Sequence, residues 1–269
     1  MDTKPNTFNI ENKIIVITGG CGLLGKTIVD SLIKNKARVV VVDIPEANPE
    51  KFVIKYGENA LGISADVSNS AEVSKIKEII LENYGTVDVL INAHQFKPKG
   101  FSGEKLMSGL EAEAETFPEE LWDSIMNVNL KGAFLMCREL GKVMIKNKSG
   151  SIINFASAYG IVSSNPALYE NNSMGSPIAY SVSKGGIIML TKYLAAYWAK
   201  EGIRVNSVTP HGVKNNHEKE FETRFKNLSP INRMMHPDEI VGAILYLSST
   251  ASSYTTGTNL LIDGGWTAW

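Results

Sequence analysis

A glycine-rich turn between two apolar segments is the feature that most restricts the fold of this chain. The turn, Thr18-Gly19-Gly20-Cys21-Gly22-Leu23-Leu24-Gly25, follows the β-branched run 13–17 and precedes residues 26–33, whose apolar positions recur at helical spacing. A strand, a glycine turn and a helix in this order can form a pyrophosphate site, because glycines allow close backbone approach and a helix N-terminus has unpaired N–H groups. A glycine-rich turn without a ligand is the alternative.

The remaining chain continues the alternation of strands and helices. Further strands are predicted at 37–43, 60–65, 87–92, 151–156, 203–208 and 259–262, and further helices at 71–84, at 118–148, around 180–184 and from about 238. This order predicts an α/β fold, a Rossmann-type doubly wound parallel sheet of about seven strands with helices on both faces. Its ligand site is expected at the carboxyl ends of the strands. We expect residues 1–269 to form a single domain.

Composition argues against several classes of function. The net charge of −1 with no basic cluster predicts no nucleic-acid partner. The polar N-terminus and the short first apolar run predict a cytoplasmic protein without a membrane span. No metal is expected, because the cysteines and histidines lack the spacing of metal ligands; they are Cys21, Cys137, His94, His211, His217 and His236.

The second predicted strand ends at Asp43, about 20 residues beyond the glycine turn. A carboxylate at that position is placed to hydrogen-bond the adenosine ribose hydroxyls of a dinucleotide, and it repels a 2′-phosphate. No Arg or Lys directly follows Asp43 or lies among the turn glycines. NAD(H) is therefore favoured over NADP(H), with an ordinary turn residue at the end of a strand as the alternative for Asp43.

Tyr180 and Lys184 lie four residues apart in a predicted helix and therefore on one face of it. A phenol has a pKa of about 10, and a nearby ammonium together with an oxidised nicotinamide would lower it toward the working range. Tyr180 could then accept a proton from an alcohol while hydride leaves the same carbon. Ser157, at the end of the fifth strand, could hold the reacting oxygen. The alternative for Tyr180 and Lys184 is an exposed aromatic beside a solvated lysine. The alternative for Ser157 is a turn hydroxyl at the end of a strand.

In their order along the chain these motifs resemble the short-chain dehydrogenase/reductase family. The resemblance implies that Tyr180 is the general acid/base, that Lys184 lowers its pKa and holds the nicotinamide ribose, and that Ser157 orients the substrate oxygen. It also implies that Asn129, in the segment 127–134, distorts its helix and places a water in a proton relay with the lysine.

The same resemblance implies a set of cofactor contacts and an assembly. Asp66 and Val67 match the adenine contact, and Asn92 matches the first asparagine of a conserved family segment after the fourth strand. The full set of expected contacts is Gly19, Gly22, Leu24, Gly25, Asp43, Asp66, Val67, Asn92, Tyr180, Lys184, Pro210 and Val213. The family further implies a homo-oligomer, a tetramer or a dimer; Trp266 and Trp269 fit burial at its interface or packing within the chain.

Several segments depart from the family pattern. The glycines are spaced Thr-Gly-x-x-Gly-x-x-Gly, and the segment after strand four reads Asn92-Ala93-His94-Gln95. Ser157 lies further from Tyr180 than usual, which implies an inserted loop, while Ala167 occupies the usual spacing. Pro210-His211-Gly212 replaces a Pro-Gly pair, so that His211 either contacts substrate or lies at the surface.

The expected activity is NAD-dependent interconversion of a secondary alcohol and a ketone on a small-molecule substrate. A closer likeness to a subgroup of bacterial sugar and flagellin-glycan (nonulosonate) biosynthesis favours a sugar, sugar-phosphate or nucleotide-sugar derivative. That likeness rests on the segments 92–99, 158–161, 190–195, 212–216 and 263–269. A 3-oxoacyl thioester reductase and a non-catalytic dinucleotide-binding protein are the alternatives. Substrate choice is expected to depend on the loops 93–117, 159–176 and 210–236.

Overall fold

The computed structural model describes residues 6–96, 114–169 and 176–269, which form one seven-stranded parallel sheet with helices packed on it. The strand order is β3-β2-β1-β4-β5-β6-β7, so the chain builds outward from β1 in one direction and then from β4 in the other. This confirms the predicted doubly wound sheet. The strands are β1 Ile14–Thr18, β2 Arg38–Asp43, β3 Ala60–Ser64, β4 Val89–Asn92, β5 Gly150–Phe155, β6 Ile203–Pro210 and β7 Asn259–Ile262.

Eight α-helices cover the sheet within the described residues. A π-helical segment, Asn127–Gly132, joins the fourth and fifth of them into one continuous helical run. The helices are α1 Leu23–Lys34, α2 Pro49–Val53, α3 Ser70–Tyr84, α4 Glu119–Met126, α5 Ala133–Asn147, α6 Ile178–Trp198, α7 Lys219–Leu228 and α8 Val241–Ser248.

The inner strands β1, β2 and β4 are buried on both faces, and their alternate residues belong to different cores. In β1, Val16 packs in the core formed with α3, α5 and α6, whereas Ile15 and Ile17 pack in the core formed with α1 and α8. Since neither face of these strands meets water, they carry continuous apolar runs rather than alternating polar residues. This is why they could be recognised in the sequence.

Three sequence-based boundaries need correction. The helix predicted at 118–148 is interrupted by the π segment, and β6 extends two residues further, to Pro210. The stretch 210–236 is not only loop, because it contains α7, whose buried Phe221 and Phe225 lie one turn apart among mostly charged residues. Most of the loop predicted at 93–117 lies outside the described residues.

Candidate active site

The expected site residues gather at one edge of the sheet. The glycine turn follows β1, Asp43 ends β2, and Asn92 ends β4. Asp66 and Val67 follow β3, Ser157 follows β5, and Pro210 ends β6. In a parallel sheet all these carboxyl ends lie on the same side, and the direction of winding changes between β1 and β4. Ligands of doubly wound folds bind at such a point.

The glycine turn packs tightly against the start of α1. Gly22 is the N-cap residue of that helix, and Leu24 in its first turn is half-buried against the core. A Cβ atom at Gly25 would lie 2.3 Å from the Gly19 carbonyl oxygen and 2.7 Å from the Gly20 Cα, so only glycine fits there. Because Gly25 has no side chain, the glycine turn can lie directly against the N-terminus of α1. This suits the close backbone approach that a pyrophosphate requires.

The acidic residues at the ends of β2 and β3 are held by main-chain N–H groups. Asp43 Oδ2 accepts a hydrogen bond from the Cys21 N–H at 2.9 Å, and its Oδ1 accepts one from the Ile44 N–H at 2.9 Å. The Asp43 carboxylate is therefore fixed against the glycine turn. Asp66 Oδ1 accepts from the Ser68 N–H at 2.8 Å, and Val67 is buried beside it.

The Asn92 side chain is used inside the protein. Its Nδ2 donates to Asn154 Oδ1 at 2.9 Å and lies 3.3 Å from Cys137 Sγ, which ties β4 to β5 and α5. Its Oδ1 is buried without a hydrogen-bond partner among the described residues, so a contact with a cofactor at the surface of the site would be made by the main chain of Asn92. Val213, beyond the end of β6, pairs with Met235 in an isolated parallel bridge that fixes this segment.

Ser157, Tyr180 and Lys184 come together between β5 and α6. The buried Lys184 Nζ donates to the Phe155 carbonyl oxygen at 2.8 Å and lies 5.7 Å from the centre of the Tyr180 ring. The Ser157 side chain lies beside the Tyr180 phenol, close enough to lower its pKa. Ser157, despite its unusual spacing, therefore occupies the place beside the phenol, whereas Ala167 lies in a separate 3-10 turn.

Gly160 allows Ser157 to take this position, a role that was not predicted from the sequence. A Cβ atom there would lie 2.6 Å from the Lys184 carbonyl carbon and 2.8 Å from the Gly185 nitrogen. The 3-10 turn after Ser157 can therefore rest directly on the backbone of α6 beside Tyr180. A glycine three residues after Ser157 was the available signal, although its meaning depends on which helix lies opposite.

Asn129 is buried in the π segment and connected to the same turn of α6. Its Nδ2 donates to Ser183 Oγ at 3.1 Å, and Ser183 Oγ donates to the Tyr180 carbonyl oxygen at 2.7 Å. Its Oδ1 accepts from the Phe96 N–H at 2.7 Å. The helix distortion expected at Asn129 thus occurs as a π segment, which is a feature often found at functional sites.

Burial shifts the pKa values of both the Tyr180 and the Lys184 side chains. It raises the pKa of Tyr180, opposed by the neighbouring Ser157 side chain, and it lowers the pKa of Lys184 to about 8. Removal from water destabilises the phenolate and the ammonium alike. Burial therefore favours the protonated phenol, and the lowering of the Tyr180 pKa by Lys184 together with an oxidised nicotinamide stays a prediction.

His211 is buried, which rules out the alternative that it lies at the surface. Its ring packs against Trp266 at 4.4 Å, Tyr159 at 5.0 Å and Phe225 at 5.3 Å between centroids. Burial lowers the His211 pKa to about 4, and its Nε2 has no hydrogen-bond partner among the described residues. Trp266 stacks on Phe225 and so packs within the chain, whereas Trp269 is exposed.

Residues 6–96, 114–169 and 176–269 contain neither a cluster of metal-binding side chains nor a membrane-spanning helix. Within these ranges no three histidine, cysteine, aspartate or glutamate side chains lie close enough together to hold a metal ion. No helix in the same ranges has the length and apolar character needed to cross a membrane.

Comparisons with known proteins extend over almost the whole chain. A family model described as enoyl-(acyl carrier protein) reductase matches residues 23–267. An NAD-dependent glycerol dehydrogenase of Listeria innocua is 31% identical, over 97% of this chain and 96% of its own length. A D-threitol dehydrogenase of Mycolicibacterium smegmatis is 30% identical, over 97% and 95%. The crystal structure of a short-chain dehydrogenase from Leptospira borgpetersenii with bound NAD+ has 32% identity and a TM-score of 0.86, over 99% and 97%.

The fold, the residues at its carboxyl edge and these matches together define an oxidoreductase. The chain belongs to the short-chain dehydrogenase/reductase family.

Proposed function

We propose that this protein is an NAD-dependent oxidoreductase that interconverts a secondary alcohol and a ketone on a polyol or sugar derivative. The observation that carries the proposal is the grouping of Ser157, Tyr180 and Lys184 at the carboxyl edge of the sheet. The similarity to enzymes named for glycerol and threitol supports a substrate with several hydroxyl groups.

The four catalytic side chains divide the proton chemistry. Ser157 holds the alcohol oxygen beside the Tyr180 phenol, which takes the hydroxyl proton in oxidation and returns it in reduction. Lys184 stabilises the phenolate and, with Asn129, passes the proton toward solvent. A nicotinamide dinucleotide, when bound, supplies the acceptor or donor of hydride.

The proposed cofactor contacts follow the same edge. The turn residues Gly19, Gly22, Leu24 and Gly25 lie against the pyrophosphate. The remaining contacts are assigned to Asp43 at the adenosine ribose, Asp66 and Val67 at the adenine, the Asn92 main chain, Lys184 and Tyr180 at the nicotinamide ribose, and Pro210 with Val213 at the carboxamide. The fixed carboxylate of Asp43 supports NAD(H) over NADP(H).

Replacing Asp43 with Asn is expected to weaken this preference. Asn removes the charge that repels a 2′-phosphate, and its side-chain oxygen can still accept from the Cys21 N–H. The ratio of kcat/KM with NAD+ to kcat/KM with NADP+ should fall by about 10- to 100-fold. Glu58→Gln is the control, because it removes one exposed acid near the opposite edge of the sheet. An unchanged ratio in Asp43→Asn would contradict the assigned role.

The substrate class is tested by absorbance of the reduced nicotinamide. Purified protein is mixed with NAD+ or NADP+ and a panel of polyols, hexose phosphates, nucleotide hexoses and 3-hydroxyacyl thioesters. We expect NAD-linked turnover of a polyol or sugar. Turnover of hexose phosphates or nucleotide hexoses alone would support the narrower proposal, a step in flagellin-type glycan biosynthesis.

Two other functions give different results in this panel. A 3-oxoacyl thioester reductase, the activity for which a relative 34% identical to this chain is named, would act on the thioesters and prefer NADP(H). The Asp43 carboxylate argues against it. A non-catalytic nucleotide-binding protein would bind NADH and turn over none of the panel, yet this chain has kept Asn129, Ser157, Tyr180 and Lys184.

We further propose that residues 1–269 form one domain of a cytoplasmic homo-oligomer, a dimer or a tetramer. Large apolar side chains exposed along α6 and on β7 support assembly, because association would remove them from water. They include Met189, Tyr193, Tyr197 and Leu261. Light scattering that gave the mass of one chain would contradict the assembly.

A further inference from the structure

His94 joins two parts of the site that are far apart in the sequence. It follows β4 by two residues and is 9% exposed. Its Nδ1 lies 2.6 Å from Thr18 Oγ1 at the end of β1, and its Nε2 lies 3.1 Å from the Val128 carbonyl oxygen. The imidazole is therefore a bridge between the strand that leads into the glycine turn and the π segment.

The chemistry of the two partners fixes the tautomer of this ring. A carbonyl oxygen only accepts, so Nε2 carries the proton and donates to Val128, and Nδ1 accepts from the Thr18 hydroxyl. Burial, followed by the nearby charge of Lys184, lowers the His94 pKa to about 4, so the ring is neutral near pH 7. Both nitrogens are engaged within the protein, so His94 has none left for a substrate.

The π segment has a hydrogen bond from outside its own helix. Its wider turns depart from the regular series of i to i+4 hydrogen bonds, and contacts from other elements can hold such a distortion in place. The Val128 carbonyl, one residue before Asn129, makes such a contact with His94 Nε2. The segment also lies close against the ring, since a Cβ atom at Gly132 would be 3.1 Å from His94 Nε2.

Asn129 is therefore held from two directions. Phe96 and Ser183 fix its side chain, and His94 fixes the carbonyl of the preceding peptide. We propose that His94 is a positioning residue for catalysis: it holds the π segment so that Asn129 keeps its place in the proton relay with Lys184. This inference rests on the relay role proposed above for Asn129.

Two substitutions separate the hydrogen bonds of His94 from its bulk. His94→Leu removes both bonds and keeps an apolar side chain, whereas His94→Gln offers an amide N–H and a carbonyl oxygen. We expect kcat of His94→Leu to fall by about 10- to 100-fold, with the KM for the alcohol and the Kd for NAD+ within about threefold of wild type. His94→Gln should recover most of the lost kcat.

Hydrogen exchange gives a second readout that needs no substrate. Amides of residues 127–132 should exchange about tenfold faster in His94→Leu than in the wild type, and His94→Gln should restore their protection. His211→Leu is the control, because it replaces another buried histidine that makes no hydrogen bond to the π segment among the described residues. Its exchange at 127–132 should equal that of the wild type.

Three outcomes of the kinetic and binding measurements would overturn the inference. They are an unchanged kcat in His94→Leu, equal impairment in His94→Gln, and a loss of NAD+ affinity as large as the loss of kcat. The last would mean that His94 acts through Thr18 and the glycine turn. If the wild type turned over none of the panel, the proposed substrate class would fail, and unchanged exchange at 127–132 would still refute the role of His94.

Discussion

Tyr180→Phe is expected to lower kcat by about 1,000-fold while leaving the Kd for NAD+ within about threefold of wild type. The substitution removes one hydroxyl group, which lies beside Ser157, and leaves the ring packed beside Lys184. Loss of the proton acceptor blocks the chemical step. Cofactor binding depends on many other contacts along the edge of the sheet.

The measurement is steady-state turnover of the best alcohol, together with NADH titration by fluorescence. Tyr246→Phe is the matched control, because it also removes a phenol that makes a hydrogen bond. Tyr246 lies on α8, and its hydroxyl is 2.7 Å from Thr255 Oγ1. The turnover of Tyr246→Phe should match that of the wild type. Retention of more than a tenth of the activity in Tyr180→Phe would remove Tyr180 from the role of general acid/base.

Lys184→Met is expected to affect both chemistry and cofactor binding. We expect kcat to fall by about 100-fold and the Kd for NAD+ to rise by about tenfold. Without the ammonium the phenolate loses a stabilising charge, so the pKa of Tyr180 rises and the pH of half-maximal oxidation moves upward. Removing the buried ammonium also leaves the Phe155 carbonyl without its hydrogen bond from Lys184, so a lower melting temperature is expected.

Lys192→Met provides the comparison for this variant. It removes an exposed lysine two turns further along α6 and should leave the rate and the pH profile unchanged. A normal cofactor affinity and an unshifted pH profile in Lys184→Met would contradict the assignment of Lys184.

The inner strands of the sheet were predictable because they are buried on both faces. Such strands, β1 for example, must be apolar throughout, and short β-branched runs are visible in a sequence. α7 was not predicted because it buries only two phenylalanines, and its remaining residues are mostly charged. An isolated pair of phenylalanines one turn apart is a weak periodic signal.

The sequence indicated which residues belong to the candidate site better than it indicated their contacts. Tyr180 and Lys184 could be paired because they lie one turn apart on a helix, Ser157 was proposed from its place at the end of the fifth strand, and the resemblance supplied Asn129. Gly160 and His94 were not assigned roles. Their contacts join segments distant in sequence, and only the packing of the fold brings these together.

The direction of the Tyr180 pKa shift could not be read from the sequence either. The four-residue spacing indicated that an ammonium would be near, but it carried no information on how deeply both groups are buried. Burial opposes the charged forms of both. The positive charge of a bound oxidised nicotinamide is therefore expected to add to that of Lys184 in stabilising the phenolate.

The central claim, hydride transfer from a secondary carbon to NAD+, is tested most directly by isotope transfer. The protein is incubated with NAD+ and glycerol carrying deuterium at carbon 2, or with the best polyol of the panel labelled at its secondary carbons. The reduced cofactor is then analysed by mass spectrometry. The account predicts NADH one mass unit heavier than the unlabelled form, and none from Tyr180→Phe. Unlabelled NADH, or no reduction of NAD+ by any labelled polyol or sugar, would contradict it.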